Sequence, residues 1–249
     1  MRDDGRSGLF YLSELGAMDY ADAQRLQIRC AAARQTGELD KDLLLLLEHP
    51  PVFTLGRNGG RENLTVSDAF LDKAGVGLVQ AERGGNITYH GPGQLVGYPI
   101  VDMEARRLSV TDYVDRLEAV LIETAGAHGV VADRNPMNPG VWVDGAKLGS
   151  IGLCLRHGIA FHGFALNVTI DLTPFSWIHP CGLKHVAMTS LDRELGLSPE
   201  MDAVNASLKR AFAGAFGVDW VRLDRPALDA LIGGGFPTAD GEKEIEHGS

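Results

Sequence analysis

Two short polar turns near the middle of the chain constrain its fold more than any other feature. Asp144-Gly145 and His157-Gly158 separate three segments rich in glycine and β-branched residues: 141–143, 147–155 and 159–168. A pair ending in glycine between such segments is typical of a tight β-hairpin turn. The three segments therefore predict an antiparallel meander of consecutive strands.

Segments with helical patterns interrupt the strands. Residues 20–33 are mainly good helix formers, and in residues 110–127 the apolar side chains recur at the spacing of one helix face, with either Ser109 or Thr111 as the capping residue. Ser198-Pro199 is typical of a helix start, and we expect the helix that it opens to end at Gly217.

Two apolar runs precede the long amphipathic helix. Residues 43–47 and 52–55 are separated by Pro50-Pro51, which predicts two buried strands of one sheet with a turn between them. Helices inserted between hairpin strands without strict alternation favour an α+β fold, a mixed β-sheet with helices packed mainly on one face. We expect one domain over residues 1–223 and a C-terminal extension over 224–249, whose acidic, apolar-poor end predicts disorder.

Charge and hydropathy exclude several classes of protein. Thirty-three acidic against twenty-three basic side chains give a net charge of -10, which argues against a nucleic-acid binder with a basic face. The longest apolar run, residues 43–47, is far shorter than the ~18 residues of a membrane span, and no signal-type stretch follows the first residues. We expect no nucleic-acid partner, no membrane association and a cytoplasmic location.

The densest concentration of glycine and polar side chains lies in residues 83–94, RGGNITYHGPGQ. Paired glycines let backbone N–H groups approach a ligand closely. Four side chains offer directional hydrogen bonds: Arg83, Thr88, Tyr89 and His90. The segment has neither the lysine of a Walker A loop nor the dinucleotide-binding spacing. Composition alone leaves two interpretations open, a ligand-binding loop and a surface turn between strands.

Cys181 differs from the other two cysteines because its neighbours are polar and typical of a loop. Cys30 and Cys154 lie within a helix pattern and a strand pattern, where a thiol usually acts as a small apolar filler. A thiol with a pKa of ~8.5 is only ~3% thiolate at pH 7, so a nucleophilic role requires a nearby cation or base. The candidates are His179, Lys184, His185 and Lys147.

His179, Cys181 and His185 also suggest a metal site. Structural zinc normally has four ligands in paired clusters, and no second group of this kind is present in the sequence, so we expect no metal. The signatures of papain-like, caspase-like and GxSxG hydrolases are absent as well, which disfavours a generic hydrolase.

Three polar residues within the strand patterns admit more than one interpretation. Lys147 is either an exposed edge lysine that discourages strand pairing or a desolvated lysine that acts as a base. His162 and Asn167 lie in a segment that could be a plain core strand, with both side chains pointing outward.

Four motifs, in order along the chain, resemble those of the octanoyl/lipoyl-transferase family. They are RGGNITYHGPGQLVGYPI (83–100), GVWVDGAKLGSIGL (140–153), HGFALNV (162–168), and PCGL followed by TSL (180–183 and 189–191). HPPVFTLGR (49–57) extends the similarity upstream, so that it covers about residues 20–197. This family moves an octanoyl group from acyl carrier protein to a lysine of a lipoyl domain, in lipoate biosynthesis.

The resemblance implies a fold like that of biotin and lipoate protein ligases and a site without metal or cofactor. It makes Cys181 the nucleophile that forms an acyl-thioester and Lys147 the residue that lowers the pKa of that cysteine. Phe164, where related chains often have a smaller aliphatic residue, is expected to narrow the acyl pocket. Acyl binding is assigned to Arg83, Gly84, Gly85, Asn86, Ile87, Thr88, Tyr89, His90, Ser150, Ile151, Gly152, Gly163, Phe164 and Ala165.

The implied partners are octanoyl-acyl carrier protein as donor and lipoyl domains as acceptors, namely those of the 2-oxoacid dehydrogenase E2 component and the glycine cleavage H protein. Acidic carriers and an acidic enzyme repel each other, so docking requires a local basic patch. The candidates for this patch are Arg57, Arg61, Arg83, Arg156 and Lys184.

Two alternatives compete with an octanoyltransferase. An ATP-dependent lipoate or biotin ligase shares the implied fold, but it activates a free acid and does not need Cys181. A non-enzymatic relative would bind lipoyl or acyl carrier domains without turnover. Retention of both Cys181 and Lys147 within their motifs argues against this second alternative.

Overall fold

The computed structural model describes residues 8–136, 138–179 and 186–233, which form two sheets and six α-helices. The strands are β1 (Gly8–Ala17), β2 (Asp42–Glu48), β3 (Val52–Leu55), β4 (Gly77–Gln80), β5 (Ile87–His90), β6 (Gln94–Asp102), β7 (Asp133–Arg134), β8 (Gly140–Val143), β9 (Ala146–Arg156), β10 (Ile159–Asn167) and β11 (Val218–Arg222). The helices are α1 (Tyr20–Thr36), α2 (Asp68–Ala74), α3 (Val110–Ala127), α4 (Leu191–Leu195), α5 (Met201–Phe216) and α6 (Arg225–Leu231), with short 3-10 helices at Arg61–Asn63 and Thr173–Trp177.

The larger sheet is mixed and has eight strands in the order β11-β1-β2-β6-β10-β9-β8-β7. β1 pairs in parallel with β11 and β2, and the remaining neighbours are antiparallel. The smaller sheet has the order β4-β3-β5. The predicted α+β class with a mixed sheet is therefore confirmed.

The predicted meander is confirmed as β8, β9 and β10, which pair antiparallel in sequence order. Its first turn has positive φ at Asp144 (46°) and Gly145 (83°), and its second at His157 (49°) and Gly158 (81°). Positive φ at both central residues matches the right-handed twist of the flanking strands. The two dipeptides in the sequence therefore determine the register of β9, which carries Lys147.

Two predicted details are wrong. Residues 43–47 and 52–55 lie in different sheets: β2 pairs with β1 and β6, whereas β3 pairs with β4 and β5. Pro50 and Pro51 lack the N–H groups that would continue the first ladder, and the chain leaves the larger sheet there. The last long helix, α5, begins at Met201 after Glu200 rather than at Ser198-Pro199.

Helices cover both faces of the larger sheet, because β2 is apolar at every position from Leu43 to Leu47. Leu44 and Leu46 pack in one cluster with residues of α3 and α5. Leu43, Leu45 and Leu47 pack in a second cluster with residues of α1. The paired helices α3 and α5 form the predicted layer on one face, and α1 and α6 add a layer on the other.

The chain continues past the predicted domain boundary at residue 223 as the short helix α6. Leu228 and Ile232 are buried in the same cluster as α1, so α6 packs on the core of the larger sheet. The boundary itself stays a prediction, and residues 234–249 of the predicted disordered end lie outside the described residues. Among the helices of the described ranges, none combines the length and apolar character needed to cross a membrane.

Candidate active site

A cavity of about 570 Å³ is lined by parts of both sheets. The smaller sheet contributes β5, the larger sheet contributes β9 and β10, and α3 contributes its first two turns through Val110 and Val114. Its volume is within the range of sites that bind small molecules. Most of the lining is apolar, which suits an alkyl chain.

Almost all residues predicted from the sequence to bind the acyl group, together with Lys147, line this one cavity. They are Arg83, Gly84, Gly85, Asn86, Ile87, Thr88, His90, Lys147, Ser150, Ile151, Gly152, Gly163, Phe164 and Ala165. The exception is Tyr89, whose ring packs in the core of the smaller sheet, 5.3 Å from Phe53 and 5.4 Å from Phe175 between centroids. The cavity thus gathers segments that are far apart in the chain.

Arg83 holds the glycine-rich segment in place. Its Nη2 donates to the carbonyl oxygen and to Oγ1 of Thr54, at 2.7 Å each. The N–H of Gly84 donates to the carbonyl of Leu153 on β9 at 2.8 Å. Gly85 has a φ of +83°, a conformation that favours glycine. The segment is therefore an ordered wall of the cavity, which excludes the interpretation as a plain surface turn.

Lys147 is 94% buried at the cavity wall, with 6% of its surface exposed, so the interpretation as an exposed edge lysine is wrong. Its Nζ donates to Oδ1 of Asn138 at 2.8 Å and lies 5.2 Å from the ring centroid of Trp142. These contacts fix the amine where a ligand in the cavity can reach it.

Gly140 makes room for the lysine. Its φ is +131°, and an added Cβ would lie 2.9 Å from Cε of Lys147 and 2.4 Å from the carbonyl oxygen of Gly149. The N–H of Gly140 donates to Oε1 of Glu118 on α3 at 2.9 Å. A side chain at this position would displace Lys147, so the glycine is part of the site.

Residues 186–189 run beside Lys147. The Lys147 N–H donates to the carbonyl of Ala187 at 2.8 Å, and the N–H of Thr189 donates to the carbonyl of Lys147 at 3.0 Å. Val186 and Met188 also line the cavity. Cys181, Lys184 and His185, which were singled out from the sequence, lie outside the described residues.

Apart from His90, which was assigned to acyl binding, the sequence interpretation missed a buried cluster of histidine and tyrosine side chains at the cavity. Tyr20, His90, Tyr98 and His162 line the cavity, and the His49 ring lies 5.2 Å from the Tyr20 ring. Burial lowers the pKa of His49 to about 4 and that of His162 to about 3, and it holds the pKa of His90 well below its usual value. All three rings are neutral at pH 7. In the sequence, the only signals of this cluster were the tripeptides HPP, YHG and FHG, each of which contains one of the three histidines.

The interpretation of His162 and Asn167 as outward-pointing residues is wrong. His162 is 1% exposed, and so is Asn167. The amide of Asn167 accepts from Nε2 of Gln94 at 2.8 Å and donates to the carbonyl of Thr189 at 2.9 Å. Asn167 therefore ties β10 to the segment beside Lys147.

The predicted basic patch is weaker than expected. Arg83 is buried beneath Thr54, Arg61 pairs with Asp68, and Arg156 pairs with Glu82 at 2.8 Å. Lys184 lies outside the described residues. Arg57 is exposed, so among the described residues it is the remaining candidate for docking the acidic carrier.

The expectation of a site without metal stays a prediction. Within the described ranges, no three histidine, cysteine, aspartate or glutamate side chains come together as a metal site would require. Of the three residues considered for zinc, only His179 lies within those ranges.

Cys30 and Cys154 are expected to resist alkylation. Burial raises the pKa of the Cys30 thiol to about 12 and also raises that of Cys154. At pH 8 a thiol with a pKa of about 12 is only about one part in ten thousand thiolate. Native protein treated with iodoacetamide should therefore leave both cysteines unmodified in peptide mass maps, whereas protein in urea should lose both thiols. Rapid native modification of either would contradict this burial.

Comparison with known proteins identifies one protein family over most of the chain. The model of the lipoyl protein ligase A/B catalytic domain matches residues 19–213. An octanoyltransferase of Desulfotalea psychrophila is 49% identical over 209 residues, which are 83% of this chain and 94% of that protein. An octanoyltransferase of Solibacter usitatus is 47% identical over 82% of this chain and 92% of that protein.

Solved structures share the fold at low sequence identity. A lipoate-protein ligase A bound with ATP superposes with a TM-score of 0.71 at 18% identity, over 91% of this chain and 92% of that one. A bipartite lipoate protein ligase from Thermoplasma acidophilum gives a TM-score of 0.71 at 18% identity, over 91% and 90% of the two chains. The ligase-like fold expected from the sequence is confirmed.

Proposed function

Because the chain belongs to the lipoyl protein ligase A/B catalytic domain family and has octanoyltransferases as relatives, we propose that it transfers octanoyl groups from octanoyl-acyl carrier protein to a lysine of lipoyl domains. The family that the sequence motifs indicated is confirmed by these relatives. The proposed acceptors are the lipoyl domains of the 2-oxoacid dehydrogenase E2 component and the glycine cleavage H protein. The proposed location of the reaction is the cytoplasm.

The proposal rests mainly on the position of Lys147 in the cavity wall. Its amine sits in the wall of an apolar cavity, and its backbone pairs with residues 187 and 189, which closely follow Cys181 in sequence. His179, two residues before Cys181, is tied by its N–H to the carbonyl of Asn63 at 2.8 Å. We propose that Cys181 meets Lys147 at this cavity and that the two act as a catalytic pair.

In the first half-reaction, Lys147 accepts the proton of the Cys181 thiol, and the thiolate attacks the carbonyl carbon of the donor thioester. A carbon–sulfur bond to Cys181 forms, and the carbon–sulfur bond to the carrier's pantetheine breaks. The leaving thiolate takes the proton back from Lys147. The octanoyl group is then held on the enzyme, with its alkyl chain in the cavity.

In the second half-reaction, Lys147, now neutral, removes a proton from the lysine of the lipoyl domain. An ordinary lysine amine with a pKa of ~10.4 is almost entirely protonated at pH 7, and only the free amine attacks. A carbon–nitrogen bond forms, the carbon–sulfur bond to Cys181 breaks, and the Cys181 thiolate regains the proton that Lys147 holds. The second proton that the attacking nitrogen loses passes to solvent. One base thus serves both halves of the reaction.

The acyl-enzyme should be visible directly. After incubation with octanoyl-acyl carrier protein and no acceptor, we expect the intact mass to rise by one octanoyl group, mapped to Cys181, and to return when a lipoyl domain is added. Cys181→Ala should abolish both the mass gain and the transfer. Cys154→Ala is the matched control and should retain both. Full transfer by Cys181→Ala would exclude the covalent route.

The ATP-dependent ligase remains the second candidate because a lipoate-protein ligase A shares this fold and was solved with ATP. A ligase would use free octanoate with ATP and magnesium, and it would not depend on Cys181. We expect transfer from octanoyl-acyl carrier protein without ATP, and no transfer from free octanoate with ATP. The reverse pattern would identify a ligase, and binding without turnover from either donor would identify a non-enzymatic relative.

A further inference from the structure

A β-bulge in the hairpin of β8 and β9 places Trp142 beside Lys147. Val141 pairs with Gly149, but the next residue, Trp142, pairs with Lys147 instead of Leu148. Residues that face each other across a ladder share one side of the sheet, and a shift by one residue exchanges the sides. The bulge therefore brings the Trp142 ring to the side of the lysine, with Nζ 5.2 Å from the ring centroid.

Asn138 closes a triangle with these two residues. Its carbonyl oxygen accepts from Nε1 of Trp142 at 3.1 Å, and its Oδ1 accepts from Nζ of Lys147 at 2.8 Å. The residue is 8% exposed and lines the cavity. Each member of the triangle restricts the positions that are open to the other two, so the amide oxygen has a defined place at the amine.

A buried carboxylate on α3 anchors the turn that carries Asn138. Glu118 is 5% exposed, and its Oε1 accepts from the N–H of Gly140 at 2.9 Å. Its Oε2 accepts from Nε of Arg134 at 3.1 Å, so its charge is paired. The group that this turn presents to Lys147 is a neutral amide.

A neutral acceptor and an aromatic ring together orient the amine. A side-chain carbonyl oxygen can only accept hydrogen bonds, so one N–H of Lys147 points at Asn138 whether the amine is protonated or not. The face of an aromatic ring is negative, so the side toward Trp142 also favours an N–H over a lone pair. In the neutral amine the lone pair therefore takes a remaining direction, toward the cavity that Lys147 lines.

We propose that Asn138 is a positioning residue: it turns the lone pair of the neutral Lys147 amine toward the cavity and accepts from the ammonium without trapping its proton. A carboxylate at this place would also accept from the ammonium, but its charge would oppose release of the proton. Both half-reactions require Lys147 to take up a proton and to give it back, and a neutral partner permits both. This role rests on the proposed octanoyl transfer.

The test measures the second half-reaction alone, as single-turnover transfer from purified octanoyl-enzyme to a lipoyl domain over a range of pH. Cys181 carries the octanoyl group there and cannot ionise, so a difference in pH profile between variants reports on Lys147. Asn138→Asp keeps the shape of the side chain and adds a charge that favours the ammonium, so the rise of the rate should move up by about one pH unit or more. Asn138→Leu removes the acceptor, so the rise should move down by about one pH unit, with a maximal rate about tenfold lower.

Gln35→Glu is the matched control, since it makes the same change from amide to carboxylate at an exposed position near the end of α1. It should keep both the rate and the pH profile. Shifts of the profile in opposite directions support the positioning role. If neither profile moves, or both move the same way, Asn138 is only structural and the proposal is overturned, even where the rate falls. If the unaltered protein forms no octanoyl-enzyme, the proposed function fails instead. Should Asn138→Leu not fold, the presence or absence of the upward shift in Asn138→Asp decides.

Discussion

Lys147→Met is expected to lower octanoyl transfer about a thousandfold while preserving the cavity. A positioned acid–base group contributes about 10²–10⁴ in rate, and this one is proposed to act in both half-reactions. Methionine has a similar length, so the packing against Trp142 is retained. Steady-state transfer and the rate of acyl-enzyme formation at pH 7 measure the loss.

The pH dependence separates a chemical role from a structural one. Without the amine, Cys181 ionises as an ordinary thiol with a pKa near ~8.5, so acyl-enzyme formation by Lys147→Met should rise as the pH approaches 9. A misfolded site would not recover in this way. Lys73→Met, at an exposed position on α2, serves as the control and should transfer at the normal rate. A loss of less than tenfold in Lys147→Met would remove the lysine from the mechanism.

Mild acid is expected to destabilise the protein strongly. A histidine in the unfolded chain binds its proton near pH 6.5, whereas His49 and His162 in the folded protein do so only near pH 4 and 3, and His90 also far below 6.5. Between these values the unfolded state binds more protons, so the free energy of unfolding falls as the pH falls. Each histidine contributes up to about 1.4 kcal/mol per pH unit, and three contribute about 4.

Urea unfolding at pH 7, 6 and 5 measures this slope above the range in which most carboxylates titrate. His49→Gln is the informative variant, because its amide can replace both hydrogen bonds of the ring, to the carbonyl of Met18 (2.6 Å) and the hydroxyl of Tyr98 (2.7 Å). It should reduce by about one the number of protons bound on unfolding, and so reduce the slope of the unfolding free energy against pH. Equal stability at pH 7 and pH 5 would mean that the three rings are not buried as described.

Local signals predicted much of the fold and most of the cavity wall. Asp144-Gly145 determines its own hairpin because both residues accept positive φ, and Ser109 caps α3 through the N–H of Asp112, three residues away. Such features depend only on residues that are close in sequence, so a local pattern predicts them. The parallel pairing of β1 with β11 joins the two ends of the described core, and no local pattern indicates it.

The positions of His162 and Tyr20 at the cavity could not be predicted from the sequence, for a specific reason. Alternation along β10 places His162 with Ala160 and Phe164, and one left-handed residue overrides that pattern. Tyr20 likewise appeared only as the first residue of a helix. Their meeting depends on how α1 crosses the sheet, which is a tertiary property.

The two edges of the eight-stranded sheet have a consequence for behaviour in concentrated solution. One edge is β7, only two residues long, Asp133 and Arg134, both exposed and charged. The other is β11, which places exposed Asp219 and Arg222 along its five residues. Short or charged border strands are poor templates for a strand from another molecule. Edge-to-edge association of copies, the first step of ordered aggregation, is therefore disfavoured at both borders.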